Sequence, residues 1–146
     1  MRIIKATLED LETIVPLFDG YRVFYKQRSD PSAARTFIRA RLQKEDSVIL
    51  LAVSDQGEGM GFTQLYPSFS SVSMQGVYIL NDLFVSEVHR GKGLGEALLE
   101  QAKEFARKEG SRGLTLETAI DNPARRLYER LGWKKDDEVF HYTWEI

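Results

Sequence analysis

Three glycines alternate with other residues in Arg90-Gly91-Lys92-Gly93-Leu94-Gly95, between an apolar run ending at Val85 and a helical pattern beginning near Gly93. Residues of these types at this spacing can hold a phosphate. Glycine lets the backbone approach an anion without Cβ obstruction. The first N–H groups of a helix have no intrahelical acceptor, and the positive end of the helix dipole favours negative charge there. Arg90 and Lys92 add cationic charge where a diphosphate would lie. The bland alternative is a glycine-rich turn with solvated basic residues. Spacing separates this loop from two other phosphate binders. A dinucleotide fingerprint requires G-x-G-x-x-G, and counting on from Gly91 and Gly93 places Glu96 at its last glycine. A P-loop requires a hydroxyl residue after Gly-Lys, and Gly93 follows Gly91-Lys92.

A loop of this kind needs a strand before it and a helix after it, and the periodicity provides both. Val77 to Val85 reads as a long apolar strand with Asn81 and Asp82 inside it. Leu94, Ala97, Leu98, Ala102, Phe105 and Ala106 fall on one face of a helix that stops at Gly110. Upstream, Arg2 to Ala6 predicts a strand. Thr7 predicts an N-cap, and Leu8, Leu11, Ile14, Val15 and Phe18 a helix ending near Gly20. An aromatic stretch, Tyr21-Arg22-Val23-Phe24-Tyr25, follows, and Ser29-Asp30-Pro31 breaks the chain before a second helix over Ser32 to Lys44. Val48 to Val53 and Met60 to Tyr66 predict a hairpin about Asp55-Gln56-Gly57, with a polar loop over Pro67 to Gln75. Downstream, Leu114 to Ala119 predicts a strand. Asp121-Asn122-Pro123 opens a short helix carrying Ala124, Leu127, Tyr128 and Leu131, and Gly132 ends it. Val139 to Trp144 predicts a last strand. There is no internal repeat, and residues 1–146 read as a single α/β domain with helices packed on a mixed sheet.

With these elements in place the motifs become specific. Leu80-Asn81-Asp82-Leu83-Phe84-Val85, then Arg90 to Leu99, resembles the acetyl-coenzyme A motif of the GNAT acetyltransferase superfamily. Arg90, Gly93 and Gly95 fill that family's R/Q-x-x-G-x-G/A signature. A second segment, Asn122-Pro123-Ala124-Arg125-Arg126-Leu127-Tyr128-Glu129-Arg130-Leu131-Gly132-Trp133, resembles the family's asparagine followed by A-x-x-L-Y-E-x-x-G-[FWY]. The order of elements is similar over nearly the whole chain. Tyr21–Tyr25 and Asn81–Val85 also resemble the fungal histone-and-other-protein acetyltransferase group and its bacterial relatives. The resemblance implies an α/β (α+β) GNAT fold, a mixed and mostly antiparallel sheet with helices on both faces. It also implies acetyl-coenzyme A as donor, an amine acceptor and a homodimer.

Roles follow residue by residue. The resemblance implies that the backbone of Leu83, Phe84 and Val85 pairs with the pantetheine arm, with an N–H near Val85 available to a developing oxyanion. It implies that Arg90, Gly91, Lys92, Gly93, Leu94 and Gly95 hold the pyrophosphate, that Asn122 faces the pantetheine, and that Tyr128 gives a proton to the departing sulfur. Without the family motif, Tyr128 on its apolar stripe reads as a core tyrosine. Two departures stand out. The family usually has seven positions from its asparagine to its tyrosine, and Asn122 to Tyr128 is six, so either the loop is short or Asp121 fills that place. Diamine acetyltransferases carry a glutamate where Asn81 stands. An alkyl amine has a pKa around 10, so about one in a thousand is neutral at pH 7, and a group must take its proton. Asn81 cannot titrate and can only orient a water. Asp82 is the nearest carboxylate, and strand alternation places it on the opposite face from Asn81 and Leu83. It reads as a water-mediated base or as a structural acceptor.

The acceptor is less legible. Tyr21, Phe24, Tyr25, Tyr66, Tyr78 and Phe84 either line its site or form ordinary core. Arg125, Arg126 and Arg130, near Lys134 and Lys135, are either a solvated face or a site for the coenzyme's 3′-phosphate. Composition removes other classes. The formal net charge of −2 argues against a nucleic-acid binder. The chain has no cysteine, so thiolate metal sites, disulfides and cysteine nucleophiles are excluded, and two histidines are too few for a metal cluster. No apolar run approaches a membrane span, and the polar N-terminus is no signal peptide, so the default address is the cytoplasm. Three classes stay open: a small-molecule amine N-acetyltransferase, a protein lysine or N-terminal acetyltransferase, and a non-catalytic acyl-coenzyme A binding domain.

Overall fold

Val48–Val53 (β2) consists of six apolar residues, five of them buried, as expected of a strand covered on both faces. It lies second in a five-stranded sheet ordered β1 to β5, the others being Arg2–Lys5 (β1), Gly59–Ser70 (β3), Gln75–Val85 (β4) and Leu114–Thr115 (β5). Neighbours are antiparallel except β5, which runs parallel to β4. Alternate residues of β2 feed two cores. Ile49, Leu51 and Val53 pack with Ile14, Phe18 and Ile38 from helices Leu11–Phe24 (α1) and Pro31–Lys44 (α2). Ala52 packs with Leu94 and Leu98 of the helix Leu94–Lys108 (α3), so helices cover both faces. All these elements lie in one unit, Met1–Leu116; a second unit, Glu117–Ile146, contains the helix Ala124–Arg130 (α4). The computed structural model describes all 146 residues.

Local chemistry explains most boundaries. Thr7 caps a turn of 3-10 helix that leads into α1: its hydroxyl accepts from the Glu9 N–H, and the Asp10 carboxylate accepts from the Thr7 N–H at 2.8 Å. Gly20 does not end α1, which runs on to Phe24 and takes most of the aromatic stretch into the helix. Its glycine answers to packing: a Cβ there would sit 2.9 Å from the Phe84 ring. Asp30 caps α2 by accepting from the Ala33 N–H at 3.0 Å. Buried Asp19 accepts from the Ser29 hydroxyl and the Asp30 N–H, at 2.6 and 2.8 Å, fixing the α1–α2 connection.

Three expectations give way. The segment expected as a loop from Pro67 is strand as far as Ser70, pairing Pro67 with Tyr78 and Ser70 with Gln75. Pro67 is tolerated because β2 pairs with β3 only as far as Leu65, so no ladder bond is demanded of it on that side. The strand expected over Leu114 to Ala119 pairs only at Leu114 and Thr115. Val139 to Trp144 forms no strand; Phe140, Tyr142 and Trp144 are exposed. Alternation creates the potential for a strand, but a strand exists only where another backbone accepts its hydrogen bonds.

Candidate active site

The register of β3 against β4 slips by one residue between Gln64 and Leu65. Gln64 pairs with Asp82 and Leu65 with Leu80, leaving Asn81 as the extra residue of a β-bulge. Simple alternation is therefore half right. Leu83 packs toward α3, and Phe84 toward α1. Asn81, however, is turned to line the same cavity as Asp82 instead of the opposite face. The bulge is pinned from several directions. The Thr63 hydroxyl donates to the Asp82 carbonyl at 2.8 Å, and the Tyr21 hydroxyl to the Asn81 carbonyl at 3.2 Å.

The Asp82 side chain is 1% exposed. Its two oxygens accept from Asn81 Nδ2 and Gln64 Nε2, each at 2.7 Å. Ser47 Oγ donates to Gln64 Oε1 at 2.8 Å, which orients the Gln64 amide so that its NH2 faces Asp82. Burial raises the Asp82 carboxyl above the usual carboxylate range, against hydrogen bonds from Asn81 and Gln64 that lower it. Each carboxylate oxygen has a second lone pair, so Asp82 keeps acceptor capacity for a ligand proton.

Asp82 and Asn81 form part of the wall of a cavity of about 430 Å³. Its other walls are Phe18, Tyr21 and Arg22 of α1, Ala33, Ala34 and Phe37 of α2, and Tyr66 of β3. Phe18 stacks on Phe37 with ring centroids 5.5 Å apart. Burial, then the charge of Asp82, pushes Tyr66 up to about 12, so its hydroxyl stays protonated. Of the aromatic residues expected at the acceptor site, Tyr21 and Tyr66 line this cavity. Phe24 and Tyr25 are largely exposed and pack on one another, and Tyr78 packs on Phe105 of α3. Phe18, Phe37 and Arg22 were not expected here. Phe18 and Phe37 look like core from their periodicity, while Phe18, Tyr21 and Arg22 share the i, i+3, i+4 spacing of one helix face.

The glycine loop is built as its chemistry requires. Gly91 and Gly93 have φ of 73° and 76°, in the left-handed region, and a Cβ at either would meet open space. The first bond of α3 runs from the Ala97 N–H to the Gly93 carbonyl, so the N–H groups just before Ala97 have no intrahelical acceptor. Arg90 turns back to donate from Nε to the Val85 carbonyl at 3.0 Å, and its guanidinium lies 5.6 Å from the Phe84 ring centroid. Lys92 Nζ donates to the Val88 carbonyl at 3.1 Å. Beside the loop, β5 pairs with β4 only at Tyr78 and Ile79, so Leu80 to Val85 have no strand partner on that edge. Open space at the glycines, helix-start N–H groups without an intrahelical acceptor and a strand edge without a strand partner together fit a nucleotide diphosphate with an extended amide-bearing arm. Gly93→Ala costs about 1–2 kcal/mol of backbone strain and points a methyl group into the cradle. It is expected to raise the Michaelis constant of the diphosphate-bearing substrate about tenfold while leaving kcat at saturation near that of the parent, measured by initial rates.

In the second unit, Asn122 Oδ1 accepts from the Ala124 N–H at 3.0 Å, one residue before Pro123, which caps α4. Tyr128 is half-buried, with its ring 6.0 Å from that of Trp133.

The family model described as "Acetyltransferase (GNAT) family" matches residues 12–133. The uncharacterized N-acetyltransferase YhfO of Bacillus subtilis (strain 168) is 50% identical over 147 residues, spanning 100% of this chain and 98% of that protein. A probable acetyltransferase of Haemophilus influenzae is 30% identical, spanning 88% of this chain and 97% of its own. The crystal structure of a probable acetyltransferase superposes with a TM-score of 0.94 at 43% identity, covering 100% of this chain and 98% of the other.

Proposed function

The chain belongs to the acetyltransferase (GNAT) family, and from that premise we propose that it transfers the acetyl group of acetyl-coenzyme A to a primary amine of a small molecule by direct attack on the thioester. The observation that carries the acceptor half of this reading is Asp82, a buried carboxylate in the wall of an aromatic cavity. An amine arrives protonated at neutral pH. A carboxylate whose pKa is raised by burial accepts its proton more readily than an ordinary aspartate. Asn81 and Gln64 hold the two carboxylate oxygens, and Ser47 orients Gln64.

Acetyl-coenzyme A, when bound, supplies the activated acetyl thioester and a thiolate leaving group. The backbone from Arg90 to Gly95 would hold its diphosphate and Leu83 to Val85 its extended arm, and the family resemblance gives Asn122 the role of facing that arm. By the family resemblance, Tyr128 Oη would give its proton to the departing sulfur. A cavity of about 430 Å³ supports an acceptor of amino-acid to dipeptide size. A homodimer belongs with this reading, supported by the exposed Phe140, Tyr142 and Trp144.

The test is thiol release from acetyl-coenzyme A by the purified chain across small primary amines and a histone-tail peptide. Release with small amines and none with the peptide is expected. Release with the peptide alone would move the function to protein modification. Coenzyme binding without release would leave a binding domain.

A further inference from the structure

The acceptor cavity carries two charged side chains, and they differ in kind. Asp82 is buried and held by two amides, one on each carboxylate oxygen. Arg22, from α1, is half-buried and pairs with no carboxylate, Asp82 included. The same cavity is lined by the rings of Phe18, Phe37 and Tyr66 and by Ala34. A guanidinium in such surroundings presents planar N–H donors suited to a carboxylate, and its field disfavours a second cationic group on the ligand. Asp82 matches one ammonium group, and the rings match an apolar body.

We propose that the acceptor is a zwitterion, a small amine with an apolar body and a carboxylate, whose amine is received by Asp82 and whose carboxylate is received by Arg22. This rests on the acetyl-transfer reading and narrows its substrate class. Polyamines and aminoglycosides carry several positive charges and no carboxylate; they fit neither Arg22 nor the rings. Arg22 is thus a specificity residue, and chemistry at the amine does not require it.

The experiment uses matched acceptors in which the carboxylate is remote enough to leave the amine's own pKa nearly unchanged: 4-(aminomethyl)benzoate against benzylamine, and 5-aminopentanoate against pentylamine, with spermidine added. Rates of thiol release at saturating acetyl-coenzyme A are compared for the parent chain, Arg22→Met and Arg22→Lys. The parent is expected to prefer the carboxylate-bearing member of each pair at least about tenfold in kcat/KM, and to use spermidine poorly. Arg22→Met is expected to bring that ratio near one, chiefly by raising KM for the acids. Arg22→Lys is expected to keep part of the preference, and its retained activity shows that the helix is intact. Equal use of both members by the parent, or a preference that survives Arg22→Met, would overturn the proposal. No release with any amine would instead overturn the acetyl-transfer reading beneath it, so the two failures are distinct.

Discussion

Asp82→Asn is expected to lower kcat/KM for a small primary amine about a hundredfold to ten-thousandfold near pH 7. The substitution keeps the shape of the side chain and removes its ability to take a proton. The signature lies in the pH dependence. In the parent, the rate rises with pH through the raised pKa of Asp82 and then levels, because the enzyme removes the ammonium proton itself. In the variant, the rate must follow the neutral fraction of the amine, rising about tenfold per pH unit toward its pKa near 10. The gap therefore narrows as pH rises. Tyr66, in the same cavity wall, does not obscure this, because its hydroxyl is pushed up to about 12. A constant deficit at all pH values would leave Asp82 a structural acceptor.

Stability gives an independent check with a definite sign. A carboxyl whose pKa is higher folded than unfolded contributes stability below the unfolded value, ordinarily 3.8, and loses it as pH rises through the folded value. Over that window the parent should lose thermal stability relative to Asp82→Asn, which has no charge to bury. The amide has one oxygen where the carboxylate has two, so one of its donors must give way. Gln64 can turn over, accept from the new amide and donate to Ser47 Oγ, which is able to accept. Fold is thus expected to survive while activity does not.

These residues differ in how far the sequence reveals them. The cradle is legible because its chemistry is local: glycines able to take positive φ, two cationic residues and a helix start are all written within six residues. The sheet and its flanking helices are legible because β2 is apolar throughout and α3 has one apolar stripe. The bulge at Asn81 is not legible, because it depends on how β4 registers against β3, and nothing within either strand states that register. That single slipped residue decides which face Asn81 takes, and so whether it joins Asp82. The cavity walls are hidden for a related reason. Phe18 and Phe37 satisfy the same periodicity whether they fill a core or border a void; the difference is set by the packing of α1 against α2, through Asp19 and its two hydrogen bonds. Gly20 shows the opposite error, a helix stop by local rule that is used for close approach to Phe84.

Tyr128→Phe is expected to reduce kcat about tenfold to a thousandfold, with little change in the Michaelis constant of acetyl-coenzyme A. The ring of Tyr128 packs beside Trp133, and phenylalanine keeps that contact, so the variant removes the hydroxyl while sparing the packing. A thiol has a pKa near 8.5 and a tyrosine near 10, so proton donation helps only at the moment the sulfur acquires charge. This makes the deficit depend on the leaving group. With an acetyl thioester of a more acidic thiol, which departs readily as its anion, Tyr128→Phe should approach parental rates. With acetyl-coenzyme A it should not. A merely structural tyrosine would impose the same deficit on both donors. Full turnover of the variant with acetyl-coenzyme A would remove Tyr128 from the chemistry and leave it a core residue, the reading its apolar stripe alone supports.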